Sequence, residues 1–437
     1  MDEHPGAEDS SFDSVEHSYD ALKRKYGRNQ REIRRLRKTV SFQLGLHLTT
    51  AVRRPWRFFA LPITLPLVAL KLGMQRLGKR PIEQMALEDF DNHEERKHCI
   101  VLFPTNGVGF GHFTRMYAVA RALRKVDPSL EIVFFTPMPT LHILYREQFP
   151  TYHLAGRYKH ADMTASQWNG LVEDMLHMVF DMHRPKWFMF DGAYPYRGML
   201  NAIASQPNMD KWWMRRGSFK SNKSIPVDST SFFDDIIVPG EGLESNTQEN
   251  FHQVSPIIAV EPQDAWERDF ARSRLSVPNE ARVVYVQLGA GRINAIENVL
   301  EHVLESLYAY SGLYVVLGES MLGERLPFTH DRLRIIRDYP NTMYAHAFDA
   351  SVQAGGYNSY QEMRRFGIPT LFIPNTDTGM DDQLARCQIS EKEGWGVVNE
   401  SLSVKNLQKD IEKLFKLPKK PQNTVANGAE EVAHLLF

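Results

Sequence analysis

The stretch "CIVLFPTNGVGFGHFTRMYAVARALRKV", residues 99–126, decides the fold. Cys99 to Pro104 is an uncharged apolar run, the pattern of a buried strand. Arg115 onward reads as a helix. Between them three glycines fall at alternate positions, Gly107, Gly109 and Gly111, and His112, Thr114 and Arg115 follow. A strand that passes through a glycine loop into a helix is the repeating unit of an α/β sheet. In such sheets ligands sit beyond the carboxyl ends of the strands. Glycine there lets the main chain pass close to a ligand.

Working outward, the same alternation recurs. "EIVFFTP" (131–137), "WFMFDG" (187–192) and "DIIVPGE" (235–241) are short apolar runs that end in small, polar or proline residues. A second series starts at "RVVYVQLGAG" (282–291). It continues through "LYVVLGE" (313–319), "LRIIRDYP" (333–340), "ASVQAGG" (350–356) and "PTLFIPN" (369–375). Strands separated by helical text predict parallel sheets covered on both faces. Two series in one chain predict two doubly wound α/β domains facing each other, joined near residues 255–280. The expected division is 1–95 as an extension, 96–262 as the first domain and 263–437 as the second. The 437 residues, 43% hydrophobic and 24% charged, are ordinary for a soluble globular protein of that size.

The net charge of −1 argues against a dedicated nucleic-acid binder. The charge is unevenly placed, however. Residues 1–21 hold seven acids and no Lys or Arg, and 22–80 hold sixteen Lys or Arg against Glu32 alone. The first fifteen residues read as disordered, and 19–38 as a basic helix with a thin apolar seam. The next segment is apolar, basic at intervals and interrupted by Pro55, Pro62 and Pro66. Its uncharged core, Phe58–Leu70, is too short to cross a bilayer. Trp56, Phe58 and Phe59 beside Arg53, Arg54 and Arg57 suit a segment lying in the headgroups of an anionic membrane, with a helical extension packed on the following domains as the other reading. Two cysteines, Cys99 and Cys387, supply neither a disulfide framework nor a metal quartet, and no secretory signal pattern opens the chain. The expected location is cytoplasmic, peripheral at the inner face of the cell membrane.

His112 stands where the glycine loop meets a helix start. The positive helix end favours the neutral imidazole, which can accept a proton from a hydroxyl. A histidine that merely caps the helix is the other reading. Asp191 ends its strand toward the same cleft. It either orients His112, as a carboxylate holds an imidazole tautomer, or caps the next segment, or binds acceptor hydroxyls. Gly107, Gly109, Gly111 and Arg115 line the acceptor-side loop, and "YPYRG" (194–198) offers aromatic and basic groups there, or loop packing. The glycine spacing departs from G-x-G-x-x-G, and the second strand ends without an acid, so a dinucleotide site is disfavoured. Asp234 and Asp235 read as a strand start rather than a metal pair.

The second site is "GGYNSYQEMRRFGIPTLFIPNTDTGMDDQLARC", residues 355–387. Gly356 closes a strand, Asn358 and Ser359 read as cap residues, and a helix runs to Gly367. A helix start offers backbone N–H groups and a positive dipole end to phosphate. Glu362, one turn in, can accept from the two hydroxyls of a ribose. Asp382 and Gln383 are suited to sugar hydroxyls.

These motifs together resemble the GT-B-fold glycosyltransferases of family 28, the group of the peptidoglycan N-acetylglucosaminyltransferase. The resemblance covers about residues 98–400. His112 matches the loop histidine, Glu362 the helix glutamate, Gly367 and Pro369 the G-x-P step, and Asp382 and Gln383 the donor-sugar pair. It implies two Rossmann-like domains, a UDP-sugar such as UDP-N-acetylglucosamine as co-substrate, no cofactor, no metal and inversion at the anomeric carbon. Gly289, Gly291 and Arg292 would then lie near the diphosphate, and Tyr339 near uracil. The first loop departs from that family, which speaks against a lipid-linked muropeptide acceptor, and the 1–95 extension has no counterpart. The function expected is a hexosyltransferase acting on a lipid-linked or envelope glycan hydroxyl. A UDP-sugar 2-epimerase on the same fold and a non-catalytic nucleotide-sugar-binding scaffold are the alternatives.

Overall fold

The computed structural model describes residues 39–53, 59–76, 96–105, 109–157, 163–215, 227–240, 250–289, 295–322, 325–375, 381–400, 404–419 and 426–437. The expected disordered start and basic helix, and Gly107, Gly291 and Arg292, lie outside these residues.

Helices α1 (Val40–Arg53) and α2 (Leu61–Arg76) belong to a compact unit of their own. They contact each other, and His47 Nε2 lies 3.0 Å from Thr64 Oγ1. Pro62 and Pro66 do not interrupt the second helix as expected. Pro62 falls in its first turn, where a missing N–H removes no bond, and Pro66 is accommodated inside it. Apolar side chains face solvent here: Phe59 is 84% exposed and Ile63 70%, with Val52, Leu67 and Leu70 similarly open. No helix among the described residues is long and apolar enough to cross a membrane.

The rest of the chain, 86–225 and 229–437, forms the second unit. It contains two all-parallel sheets. The first comprises β1 (Lys97–Pro104), β2 (Glu131–Thr136), β3 (Thr151–His153), β4 (Pro185–Asp191), β5 (Asp210–Met214), β6 (Asp235–Pro239) and β7 (Phe251–Val254). Its order is β3-β2-β1-β4-β5-β6-β7. The second comprises β8 (Arg282–Gln287), β9 (Leu313–Gly318), β10 (Leu333–Ile336), β11 (Ala350–Gln353), β12 (Thr370–Phe372) and β13 (Gly396–Val398). Its order, β10-β9-β8-β11-β12-β13, repeats that of the first six strands. In both sheets the direction of winding reverses between the first and fourth strands of the series. The reversal leaves a crevice at the carboxyl ends of β1 and β4, and another at those of β8 and β11. The doubly wound α/β class read from sequence is therefore the architecture found. β3, β5, β7 and β13 went unnoticed in the sequence.

Burial on both faces explains the near-continuous apolar strands. In β1, Ile100 and Leu102 face one core with Met116, Val119 and Leu123 of helix α3 (Gly111–Val126). Val101 and Phe103 face the other, with Leu176 and Phe180 of helix α4 (Ala165–His183). The second sheet repeats this. Val284 and Val286 pack on Leu300 and Val303 of helix α5 (Ala295–Tyr308), while Val283 and Tyr285 pack beneath Tyr360 and Met363 of helix α6 (Tyr357–Phe366).

The last helix, α7 (Gly428–Leu435), leaves the second sheet and returns to the first. Val432 and Ala433 are fully buried in the cluster that holds Met116, Val119 and Leu123. The expected span 263–437 for the second domain did not anticipate this return. The crossing is fixed by Asn427, whose Nδ2 donates to Ile258 O at 3.0 Å, and by Gly428, where a Cβ would lie 1.9 Å from Ser255 O. Truncating Val432 to Ala removes two buried methyl groups beside α3 and leaves a cavity. The expected loss is about 2 kcal/mol in urea unfolding. Unchanged stability would show that α7 does not hold the first sheet.

Candidate functional site

At the first crevice, Thr105 N donates to Asp191 O at 2.9 Å, tying the exit of β1 to the end of β4. Helix α3 starts at Gly111, with Phe110 as an N-cap that provides no side-chain bond. His112 and Arg115 are one turn apart on this helix and face Asp191 together. His112 Nδ1 lies 2.7 Å from Asp191 Oδ1, and Arg115 donates from Nε to Oδ2 at 2.9 Å and from Nη2 to Oδ1 at 2.7 Å. Asp191 is fully buried and Arg115 nearly so. Burial alone would raise the Asp191 pKa. Arg115 and then His112 outweigh that and hold the carboxyl below its ordinary value. An ionised carboxylate at 2.7 Å excludes a lone pair on Nδ1, so Nδ1 carries the proton and Nε2 is the basic nitrogen. Arg115 Nη2, 2.9 Å from Nδ1, then makes only a close contact with the ring, not a hydrogen bond.

The remainder of the expected acceptor face divides. Tyr194 is exposed, whereas Tyr196 packs on Trp168 and Phe103. Gly198 serves packing, since a Cβ would strike Asn169 O at 1.9 Å. Asp235 starts β6 and pairs with His252, and Asp234 accepts from Lys211 N, which makes them a strand start.

At the second crevice, the N-cap of α6 is Gly356, not Asn358 or Ser359, which occupy the first turn. A glycine cannot cap with a side chain, so the first-turn N–H groups must find acceptors elsewhere. A Cβ at Gly356 or Gly111 would meet nothing within 4 Å, so both backbones border open space. Gly355 has φ +78°, and a Cβ there would fall 2.4 Å from Cys387 Sγ, so only glycine permits this turn. Gly289, after β8, has φ +106°. Glu362 is partly exposed, and removal from water pushes its carboxyl up to about 8, with the Thr342 hydroxyl pulling the other way. Asp382 caps helix α8 (Gln383–Lys392) by accepting from Ala385 N at 3.0 Å, and Gln383 Oε1 accepts from Asn375 N at 3.1 Å.

The two crevices meet. Asn358 Nδ2 donates to Gly111 O at 3.3 Å, joining the first turns of α6 and α3. Tyr339 donates to Thr114 Oγ1 at 3.0 Å, and its ring stacks on Phe110 and contacts Phe113 and Tyr117 edge-on. Sequence reasoning missed two residues at this junction. The Tyr357 ring lies 5.3 Å from the Arg115 guanidinium and 5.9 Å from that of Arg386. Arg386 is fully buried, donating to Gly355 O at 3.0 Å and to Asp381 Oδ1 at 2.7 Å. The only sequence signal for Arg386 was its place one helical turn beyond Asp382. The arrangement brings a carboxylate-oriented imidazole, two buried guanidinium groups and two helix starts to one cleft. Chemically it can accept a proton from a hydroxyl and hold an anionic group nearby.

No protein-family model and no curated protein matches the sequence. Solved structures do resemble it. The glycotransferase of kitacinnamycin is 14% identical, with a TM-score of 0.55, over 77% of this chain and 98% of that one. Spinosyn forosaminyltransferase SpnP is 11% identical, with a TM-score of 0.53, over 77% and 94%. The UDP-GlcNAc 2-epimerase of Methanocaldococcus jannaschii, in complex with UDP-GlcNAc and UDP, is 14% identical, with a TM-score of 0.55, over 77% and 98%. At such identities the likeness is one of fold: two parallel-sheet α/β halves with flanking helices, the GT-B architecture.

Proposed function

We propose that the chain is a glycosyltransferase that moves a hexosyl group from a UDP-sugar to a hydroxyl of a lipid-linked or envelope glycan, with inversion and with no metal at the transfer site. The observation that carries this reading is the His112–Asp191 pair facing the start of α6 across the junction of the two crevices. The acceptor hydroxyl gives its proton to His112 Nε2 as its oxygen attacks the anomeric carbon and the bond to the diphosphate oxygen breaks. Asp191 keeps the tautomer and stabilises the imidazolium. Negative charge that develops on the departing diphosphate is met by the N-terminal turn of α6 and by Gly289 after β8; Gly291 and Arg292, assigned the same role, lie outside the described residues. Glu362 accepts from the ribose, Asp382 and Gln383 face the donor sugar, and Tyr339 borders the base. The open space beside Gly356 and Gly111 supports this assignment of the donor and acceptor approaches.

A second reading, a UDP-sugar 2-epimerase, is favoured by the fold shared with the archaeal enzyme. The two are separated by products: a transferase releases UDP, and an epimerase returns a UDP-sugar. With a panel of UDP-sugars and hydroxyl-bearing glycan and glycolipid acceptors, the expected result is acceptor-dependent UDP release that falls about a hundredfold or more in His112→Ala while donor affinity changes little. Epimeric UDP-sugar without UDP release would replace the proposal, and a His112→Ala variant with normal turnover would remove His112 from the chemistry.

Glu362 gives a pH test. Its carboxyl is up near 8 in the fold and near 4.5 in the open chain. Between these values the unfolded chain ionises and the folded one does not, so stability contributed by this residue is full below about 4.5 and lost as pH rises through 8. Glu362→Gln should flatten the pH dependence of unfolding over that window and be the more stable protein at its upper end. An unchanged pH profile would show that the carboxylate is not desolvated.

The exposed apolar residues of α1 and α2, which lie within the basic stretch 22–80, support docking on an anionic membrane at the cytoplasmic face. Deletion of residues 1–80 should abolish co-sedimentation with anionic vesicles, and neutral vesicles should bind the full chain weakly. Equal sedimentation of the deletion would contradict this.

A further inference from the structure

A second cluster of chemically able side chains lies at the other end of the first sheet. Cys99, near the start of β1, is paired in register with Glu131, the first residue of β2. His183 is the last residue of α4. Arg184 ends that helix in the left-handed conformation (φ +46°), so the chain turns into β4 and His183 stays over the amino ends of the strands. The crevices described above lie at the carboxyl ends, so this cluster is at the opposite edge of the sheet.

Cys99 Sγ, a Glu131 carboxylate oxygen and a His183 ring nitrogen lie within 4.8 Å of one another. His183 Nδ1 is 2.7 Å from Glu131 Oε1, and His183 Nε2 is 2.8 Å from the Tyr152 hydroxyl. Cys99 is fully buried and reduced. Glu131 is 38% exposed, which leaves a path from solvent to the cluster. We propose that Cys99, Glu131 and His183 bind one zinc ion.

Three features support the assignment. Thiolate, carboxylate and imidazole are the usual protein donors to zinc, and donors around a tetrahedral ion lie roughly 3.5 Å apart, a spacing that small side-chain rotations reach from this one. Next, the thiol and the carboxylate already stand side by side, because Cys99 of β1 and Glu131 of β2 are register partners, so two anionic donors converge with no backbone rearrangement. Finally, the second nitrogen of the imidazole already has an outer partner. With zinc on Nδ1, Nε2–H donates to the Tyr152 oxygen, the arrangement that orients metal-bound histidines. On binding, the Cys99 thiol proton passes to solvent, the imidazole changes tautomer so that its proton leaves Nδ1 and stands on Nε2, and the Nδ1–Glu131 hydrogen bond gives way to two bonds to zinc. Thiolate and carboxylate balance the ionic charge, and water fills the fourth position from the Glu131 side. The ion would clamp β1, β2 and the end of α4, a structural role separate from the cleft. Sequence reasoning had no signal for it, because the three residues are 32 and 52 positions apart.

The test uses the full chain, stripped with chelator and titrated with zinc and then with cobalt. The expected result is one zinc per chain and, with cobalt, a near-ultraviolet thiolate charge-transfer band. Cys99→Ala should lose the band. Glu131→Gln and His183→Gln should each weaken zinc binding at least tenfold. Glu131→Gln keeps the side-chain volume at a partly exposed position, so it remains informative if Cys99→Ala fails to fold. No stoichiometric zinc in the wild type, no thiolate band, or undiminished binding in both folded variants would overturn the proposal.

Discussion

The buried carboxylate of Asp191 organises one side of the cleft. Without partners, an ionised group removed from water is strongly disfavoured. Here the end of β4 and the first turn of α3 compensate it together, with Arg115 gripping both oxygens and His112 sharing one of them. The pairing fixes which imidazole nitrogen carries a proton and draws α3 against the mouth of β4. Removal of one partner from a buried pair of this kind commonly costs several kcal/mol, because the other charge is left stranded. Position and charge state at this crevice therefore come from a single cluster.

The facing crevice uses main chain where the first uses side chains. Gly355 and Gly356 bring the end of β11 into α6 with no side chain in the way, and Arg386 holds the turn by donating to Gly355 O. The starts of α3 and α6 then meet through Asn358 and Gly111. Both positive helix ends bias the junction toward negative charge, while Arg115 and Arg386, on either side of Tyr357, are already balanced by Asp191 and Asp381. Tyr339 and Thr114 close the contact from the side. Helix α7, crossing back to α3, sets the base on which α3 stands.

The doubly wound class was legible because parallel strands buried on two faces must be written in apolar residues, as "CIVLFP" and "RVVYVQ" are. Their carboxyl ends are legible too, which puts His112, Asp191 and the Gly355–Gly356 turn at strand ends from the sequence alone. Partnerships were less legible. Whether His112 pairs with Asp191 depends on two strands 79 positions apart meeting at the sheet's winding reversal, and the sequence left three roles open for that aspartate. Caps were misplaced by two residues at α6 because Asn358 and Ser359 have cap chemistry while Gly356 has the cap position. Arg386 and the return of α7 went unread because a buried arginine and a short amphipathic helix carry no local mark of their destination.

The proposed site for the diphosphate of a nucleotide sugar is the start of α6 with the open space beside Gly356. Gly356 lies in ordinary extended backbone and no atom crowds its Cβ position. Gly356→Val can therefore fill the ligand's space with little strain on the fold. Calorimetric titration of UDP into the wild type and this variant tests the claim most directly. The account predicts measurable binding by the wild type and a loss of at least tenfold in a variant that melts at nearly the same temperature. Equal UDP affinity in the two proteins, or no UDP binding by the wild type, would contradict it.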